Sequence, residues 1–276
     1  LTPRSIHCTS SALLVALIFV SHPVLTEAVN CISYREDLLA FLFYLTTLTL
    51  YLQLTTKPAT GHRPLITVLL YLLSCLAYLL ALLSKEMAAT LPLIVLCYEW
   101  VYGEGEKSPF ARPFSRYIIG YTAITLFYLY LRFYLFHNPE EQAKAWSLVQ
   151  RFLTTPWLVM GYLKLSLFPL HLSADYVIKP VTTALSPSFI WPFIIIISIF
   201  TISFVLKGKH SLFGTIFFLT ALLPVYNIIP ITNPFAERYI YLPMAGFAII
   251  LGAAADAVGH WNRKHLFVLS LLLCVF

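Results

Sequence analysis

The side chains in this sequence that could do chemistry fall into four short clusters. The first is His22-Pro23-Val24-Leu25-Thr26-Glu27-Ala28-Val29, followed closely by Tyr34-Arg35-Glu36-Asp37. The second is Ser84-Lys85-Glu86, and the third runs from Phe168-Pro169 through His171 to Asp175-Tyr176. The fourth is Asn233-Pro234-Phe235-Ala236-Glu237-Arg238-Tyr239-Ile240-Tyr241-Leu242-Pro243. Each places a carboxylate beside a base or an imidazole. Such pairs can hold an anion such as a phosphate, the acid orienting the cation through charge-assisted hydrogen bonds. An imidazole or a carboxylate can also carry a proton. Each cluster has a plainer reading beside this one. Thr26 would cap a short helix, Asp37 would sit at a favourable helix N-terminus, Ser84-Lys85-Glu86 would be a tight hairpin turn, and Arg238 would snorkel among belt tyrosines. His171 in isolation reads as an interfacial residue.

Other chemistries lack support. The sequence has no Gly-rich phosphate loop, no nucleophile elbow and no HExxH, so soluble nucleotide use, serine acyl transfer and zinc hydrolysis are not indicated. Its five cysteines, Cys8, Cys31, Cys75, Cys97 and Cys274, show neither CxxC nor Cys/His ligand spacing. No metal and no cofactor is expected.

The elements that must position these clusters are membrane helices. Apolar residues make up 59% of the 276 positions and charged residues 11%, with a mean hydropathy of +0.81. A water-soluble globule cannot hide that much apolar surface. The apolar residues come in runs near the roughly 20 needed to cross a hydrocarbon core: 9 to 21, 38 to 54, 64 to 83, 87 to 102, 116 to 136, 190 to 206, 211 to 229, 239 to 256, and 266 onward. Lipid offers no partners for backbone groups, so all should be helical. The expected fold is an all-α, polytopic transmembrane bundle, a single domain over 1–276 with about nine spans. Between 137 and 189 the pattern breaks into a long loop, with an amphipathic interfacial helix over Ala143 to Leu153 and an apolar, re-entrant segment from Pro156 to Leu172.

If the spans alternate, one set of loops holds ten bases, among them Lys57, Arg112 and Lys207, against Glu99, Glu104, Glu106 and Asp256. That basic side is cytoplasmic by the positive-inside rule, and the net charge of +6 is therefore no sign of nucleic-acid binding. The opposite, outer side gathers eight of the twelve carboxylates, balanced by bases including Arg35, Lys85, Arg132, Lys164 and Arg238. All four clusters share this face. The sequence opens at Leu1 and closes at Phe276 within an apolar run, so further residues are expected on both sides.

Four elements in this order resemble a known family. His22-Pro-Val-Leu-Thr-Glu-Ala-Val29 with Arg35, Asp37, Leu38 and Leu39 resembles the HPxxTEAV...GRADLL signature of the transmembrane O-mannosyltransferases that carry tetratricopeptide repeats, and of their bacterial relatives. Ser84-Lys85-Glu86 resembles that family's (A/S)KE element. Tyr162 to Pro169 with Ala174-Asp175-Tyr176 resembles a later loop, and Ala236 to Pro243 its AER-x-x-YLP element. The resemblance covers residues 12 to 252. It implies a C-class membrane glycosyltransferase that moves a sugar, mannose in this family, from a polyprenyl- or dolichyl-phosphate carrier to a hydroxyl of a protein or glycan acceptor. The general base of such enzymes is expected upstream of Leu1, and tetratricopeptide repeats downstream of Phe276.

Among the matching positions, the resemblance makes His22, Glu27, Arg35, Asp37, Lys85, Glu86, Asp175, Glu237, Arg238 and Tyr241 the donor- and acceptor-site candidates. Arg35, Lys85 or Arg238 would face the carrier phosphate, and Asp37 or Glu27 would orient them. Tyr34-Arg35-Glu36-Asp37 departs from the family's Gly-Arg-Ala-Asp, which leaves the acceptor open. The Asn30-Cys31-Ile32-Ser33 continuation favours a bacterial inner membrane over the endoplasmic reticulum. The competing functions are a transporter or flippase, which would place charge at the midplane, and a non-catalytic anchor for repeats, for which the outer charges would be dispensable.

Overall fold

The computed structural model describes residues 3–56, 64–103, 115–135, 146–205, 208–228, 231 and 233–257. Among these, every regular element is helical. The principal helices are α1 (Pro3–Ser21), α2 (Thr26–Asn30), α3 (Arg35–Thr56), α4 (Pro64–Ser84), α5 (Leu91–Tyr102), α6 (Ser115–Tyr130), α7 (Leu148–Leu167), α8 (Pro187–Val205), α9 (Lys209–Ala221) and α10 (Pro243–Ala257). Each apolar run read from the sequence up to residue 256 overlaps one of them, although the run from 211 to 229 extends past the end of α9 at Ala221. The run from 266 onward, and residues 137–145 of the long loop, fall outside the described residues.

Among the described residues, four segments are long and apolar enough to cross a membrane: Ile32–Thr55, Leu65–Ser84, Tyr117–Leu135 and Pro187–Val205. A fifth is added if Ala12–Ser21 and Pro23–Asn30, bent by 55°, are one span. The bend sits at Pro23, which cannot donate to the preceding turn. These helices make the chain an integral membrane protein. Helices α9 and α10 are apolar but shorter.

The bundle has a consistent sense. Asp37 at the start of α3 meets Lys85 just beyond α4, so these two helices run antiparallel. Helices α9 and α10 also run antiparallel and cross where both carry glycine. A Cβ at Gly246 would stand 2.6 Å from the backbone nitrogen of Phe218, and one at Gly214 would stand 2.7 Å from the carbonyl oxygen of Gly246. Only hydrogen fits between backbones this close. The interior is rich in tyrosine, with Tyr44, Tyr51, Tyr78, Tyr121 and Tyr162 fully buried.

Three local expectations change. The interfacial helix and the re-entrant segment, read over Ala143 to Leu153 and Pro156 to Leu172, are joined in their described part by one helix, α7, which runs through Pro156, starts at a capping box between Ser147 and Gln150 and ends at Leu167. This helix lies across one end of the bundle. Arg151 and Thr155 donate to the carbonyls of Ile228 and Tyr226, Val181 donates its N–H to Thr154, and Ser166 near the far terminus accepts from His22. Glu99, grouped in the sequence with loop charges of the basic side, is buried inside α5 and accepts a hydrogen bond from Tyr51 at 2.7 Å. Thr26 does not cap α2. It already has helical backbone angles, and its hydroxyl donates back to the Pro23 carbonyl at 2.8 Å.

Candidate functional site

The four clusters meet at the end of the bundle that α7 crosses. At its centre are four consecutive residues, Phe235 to Arg238, each fixed by a different neighbour. Phe235 stacks on Tyr162 of α7 with ring centroids 4.4 Å apart, and meets Tyr176 edge-on at 5.0 Å. The ring can reach α7 because residue 161 is glycine, where a Cβ would stand 2.8 Å from the Phe235 ring. Ala236, fully buried, donates its N–H to the Tyr162 hydroxyl at 3.4 Å. Glu237, 3% exposed, accepts from the Ser173 N–H at 2.6 Å and from the Tyr176 hydroxyl at 2.5 Å. It therefore ties the extended segment after α7 to the approach to α10.

Arg238 is gripped twice by Glu27. Its backbone N–H donates to Glu27 Oε2 and its Nη1 to Glu27 Oε1, both at 2.8 Å. The guanidinium also lies 4.3 Å from the centroid of Tyr34 and 4.9 Å from that of Tyr239, within cation–π range. Burial works against its charge, but Tyr239 and Glu27 outweigh burial and raise its pKa above the ordinary arginine value. The phenol of Tyr176 is raised as well, first by burial and then by Glu237, so it remains a donor. Arg238 is thus a clamped cation, and not the snorkelling side chain of the plainer reading.

Lys85 and Glu86 diverge because Lys85 is extended (φ −157°, ψ 142°) between α4 and a 3-10 turn over Glu86–Thr90. Successive side chains of extended backbone point to opposite sides, so this turn needs neither Gly nor Pro. Lys85 Nζ turns inward to Asp37 at 2.5 Å, with Glu36 at 3.4 Å. The Lys85–Asp37 pair is closed, its side chains only 7% and 4% exposed. Glu86 turns the other way to Arg132 at 3.3 Å. Arg132 lies in a π-helical turn, Leu131–Leu135, that ends α6.

His22 caps the 3-10 turn Pro23–Leu25. Its Nδ1 accepts the Val24 N–H at 3.3 Å, and Nε2 faces the Ser166 carbonyl at 3.0 Å. A backbone N–H can only donate and a carbonyl only accept, so these partners select the neutral ring with its proton on Nε2. Burial lowers the imidazole pKa, although the bond to Ser166 works the other way.

Beside Glu237 a cavity of about 300 Å³ opens between α7 and the segment after it. Its walls are mostly apolar, from Trp157, Met160, Gly161, Phe168, Ile178 and Phe235. Three polar side chains also line it: Lys164, His171 and Tyr176. A second cavity, of about 330 Å³, lies between α7 and the first turns of α8 and shares Trp157 and Met160 with the first.

The chain is similar to a protein O-mannosyl-transferase of Caenorhabditis elegans, with 28% identity over 94% of this chain. It spans 36% of that relative's length. No protein-family model and no solved structure matches it.

Seven of the ten sequence-predicted residues take part in the tied network at this end: His22, Glu27, Asp37, Lys85, Glu86, Glu237 and Arg238. The other three do not. Arg35 is exposed and has no ion-pair partner among the described residues. Asp175 is exposed, and the hydrogen bonds it makes are through its backbone, to Ser173. Tyr241 turns into the bundle and meets Phe19 and Phe41 edge-on at 5.4 and 5.3 Å. Gly161 lay within the apolar segment read from Pro156 to Leu172 but in none of the motif stretches, and Tyr162, Ser173 and Phe235 lay within those stretches without being singled out as site residues. Two of these are aromatics in a chain that has 17 tyrosines and 21 phenylalanines, so residue type gave no signal. Arg132 did carry one, since a base within an apolar run needs a partner.

Proposed function

We propose that the charged end is the transfer site of a membrane glycosyltransferase. The observation that carries this reading is that four elements far apart in sequence are tied together at one end of a membrane-embedded bundle, by the ion pairs of Lys85, Arg132 and Arg238 with Asp37, Glu86 and Glu27 and by the hydrogen bonds of His22 and Glu237. Similarity to the worm O-mannosyl-transferase supports a sugar as the transferred group, and mannose is the sugar proposed. The donor would be a polyprenyl- or dolichyl-phosphate-linked mannose and the acceptor a hydroxyl of a protein or glycan. The charged end would face the periplasm or the lumen, and about nine spans would carry it.

The reaction breaks the bond from the sugar's anomeric carbon to the carrier phosphate and forms one to the acceptor oxygen. The acceptor's proton goes to a base, and the carrier leaves as a phosphate. Charge develops on that phosphate, so cations placed in advance stabilise the transition state. Lys85 and Arg238 are already saturated by Asp37 and Glu27, so their role is to fix the frame. Arg35 remains open to meet an anion. The base is proposed to lie upstream of Leu1. A transporter reading fits less well, because the ion pairs concentrate at one end.

The test is transfer from labelled polyprenyl-phosphate-mannose by the full-length protein in liposomes. Arg35→Ala and Glu237→Ala should each lower the transfer rate at least tenfold while the protein remains folded. Wild-type rates in both variants would remove the assignment.

A further inference from the structure

We infer that the cavity beneath Glu237 holds one isoprenoid chain of an anionic lipid, with Lys164 and His171 binding its phosphate. This deepens the glycosyltransferase reading and rests on it. It also moves the main phosphate contacts away from the motif cations, for a reason of charge balance. Lys85 and Arg238 are each held by a carboxylate at 2.8 Å or less, and an incoming phosphate would have to displace that carboxylate. Lys164 and His171 are exposed, and among the described residues neither side chain has a hydrogen-bond or ion-pair partner. Both line the same cavity.

The shape of the space selects the chain. Its remaining walls are apolar and largely aromatic, and Trp157 and Met160 border both it and the neighbouring space between α7 and α8. Helix α8 is one of the four segments able to cross a membrane, and Trp191, in its first turns, is 64% exposed. Apolar wall residues therefore continue from the flank of a spanning helix to two free polar groups at the charged end. A volume of about 300 Å³ is at the lower limit of small-molecule sites, enough for the first units of one chain and too small for two side by side. That favours a single-chain isoprenoid phosphate over a two-chain phospholipid. Tyr176 lines the cavity with its ring while its hydroxyl stays on Glu237, so an occupied cavity would sit directly against the ion network.

The experiment uses full-length protein in nanodiscs with a photoreactive farnesyl phosphate carrying a diazirine on its chain. Labelled peptides are identified by mass spectrometry, and mannose transfer is measured on the same samples. Label is expected on α7 and on the segment after it, around Trp157, Met160 and Phe168. It should be competed by unlabelled farnesyl phosphate and left unchanged by excess phosphatidylglycerol. Lys164→Ala should raise the concentration for half-maximal labelling at least fivefold, Lys164→Arg should restore it, and Lys209→Ala, on α9, should leave it unchanged. Met160→Trp, which fills the space, should abolish the label while leaving the protein folded. Label confined to other helices, competition by phosphatidylglycerol, or labelling indifferent to Lys164 would each overturn the inference. Transfer that persists without cavity label would sink this site and spare the transferase reading. Specific label in a wild-type protein that transfers no mannose would do the reverse.

Discussion

Tyr78 and Lys85 lie seven residues apart, about 10 Å along α4 and its extension, yet they solve different problems. Tyr78, buried within the bundle, shares a hydrogen bond of 2.5 Å with the hydroxyl of Thr125 on α6. Lys85, at the end, pairs as an ion with Asp37. The same division holds across the molecule. In the middle of the bundle, helices are joined through hydroxyls, as in Tyr121 with Ser74 and Tyr44 with Thr90. At the charged end they are joined by carboxylates, amines and guanidinium. An ion at bilayer depth costs roughly 3 kcal/mol on insertion scales, whereas a hydroxyl can be satisfied by its own helix. Thr125 does this, donating to the Tyr121 carbonyl at 2.9 Å. Charge is therefore gathered where water and headgroups can help solvate it. The exception is Glu99, whose carboxylate is buried in α5 against Tyr51.

The largest test of this contrast removes one ion of a closed pair. Lys85→Met leaves Asp37 buried without its cation and should cost about 3–5 kcal/mol, read as the loss of a cooperative melt in detergent. Adding Asp37→Leu should return most of that stability while transfer activity stays absent. If the double variant were both stable and active, the pair would contribute stability alone and would not set the geometry of the site.

A middling effect is expected at Glu237. Glu237→Gln keeps an acceptor oxygen but loses the charge behind two hydrogen bonds, so a loss of about 1–2 kcal/mol is expected. Amide exchange should rise first at Ser173, whose N–H the carboxylate now holds.

Small effects are expected inside the bundle. Tyr78→Phe and Tyr121→Phe should each cost about 0.6 kcal/mol, the average for such bonds between membrane helices. Their partners Thr125 and Ser74 keep bonds to their own helices. Neither variant should alter transfer, and a loss of activity equal to that expected of Glu237→Ala would erase the distinction between the two regions.

The weakest effect is set by pH. Burial holds the folded pKa of His22 below its ordinary 6.5, so the unfolded chain binds the extra proton first as pH falls. Stability should be indifferent to His22 above that value and decline below it, through the window down to the lowered folded pKa. A His22→Gln variant, followed by thermal melts from pH 7.5 to 5, should show a flatter profile than the wild type.

Much of the fold was legible because lipid imposes a simple rule: runs of apolar residues must be helices. The positions of the helices that carry apolar runs follow from that alone, whereas α7, with its polar first turns and internal Pro156, does not. The coarse location of the site was legible too, since charge is costly enough in a membrane to be informative wherever it appears. The pairing was legible only as alternatives: the resemblance offered Asp37 or Glu27 to orient Arg35, Lys85 or Arg238, and only folding sets Asp37 on Lys85 and Glu27 on Arg238, 211 residues away.

By itself, the sequence determined an all-helical membrane protein and pointed to one face as the place where most carboxylates gather beside bases. Only the tertiary structure decided which charges are consumed by one another and which stay open. Lys85 and Arg238 are motif residues, but packing brings a carboxylate to each, while Arg35, Lys164 and His171 keep their side chains exposed. That outcome depends on a glycine at 161 that admits the Phe235 ring, and on an extended residue at 85 that sends two charges opposite ways. Both are matters of steric fit between distant segments, which composition and spacing do not encode.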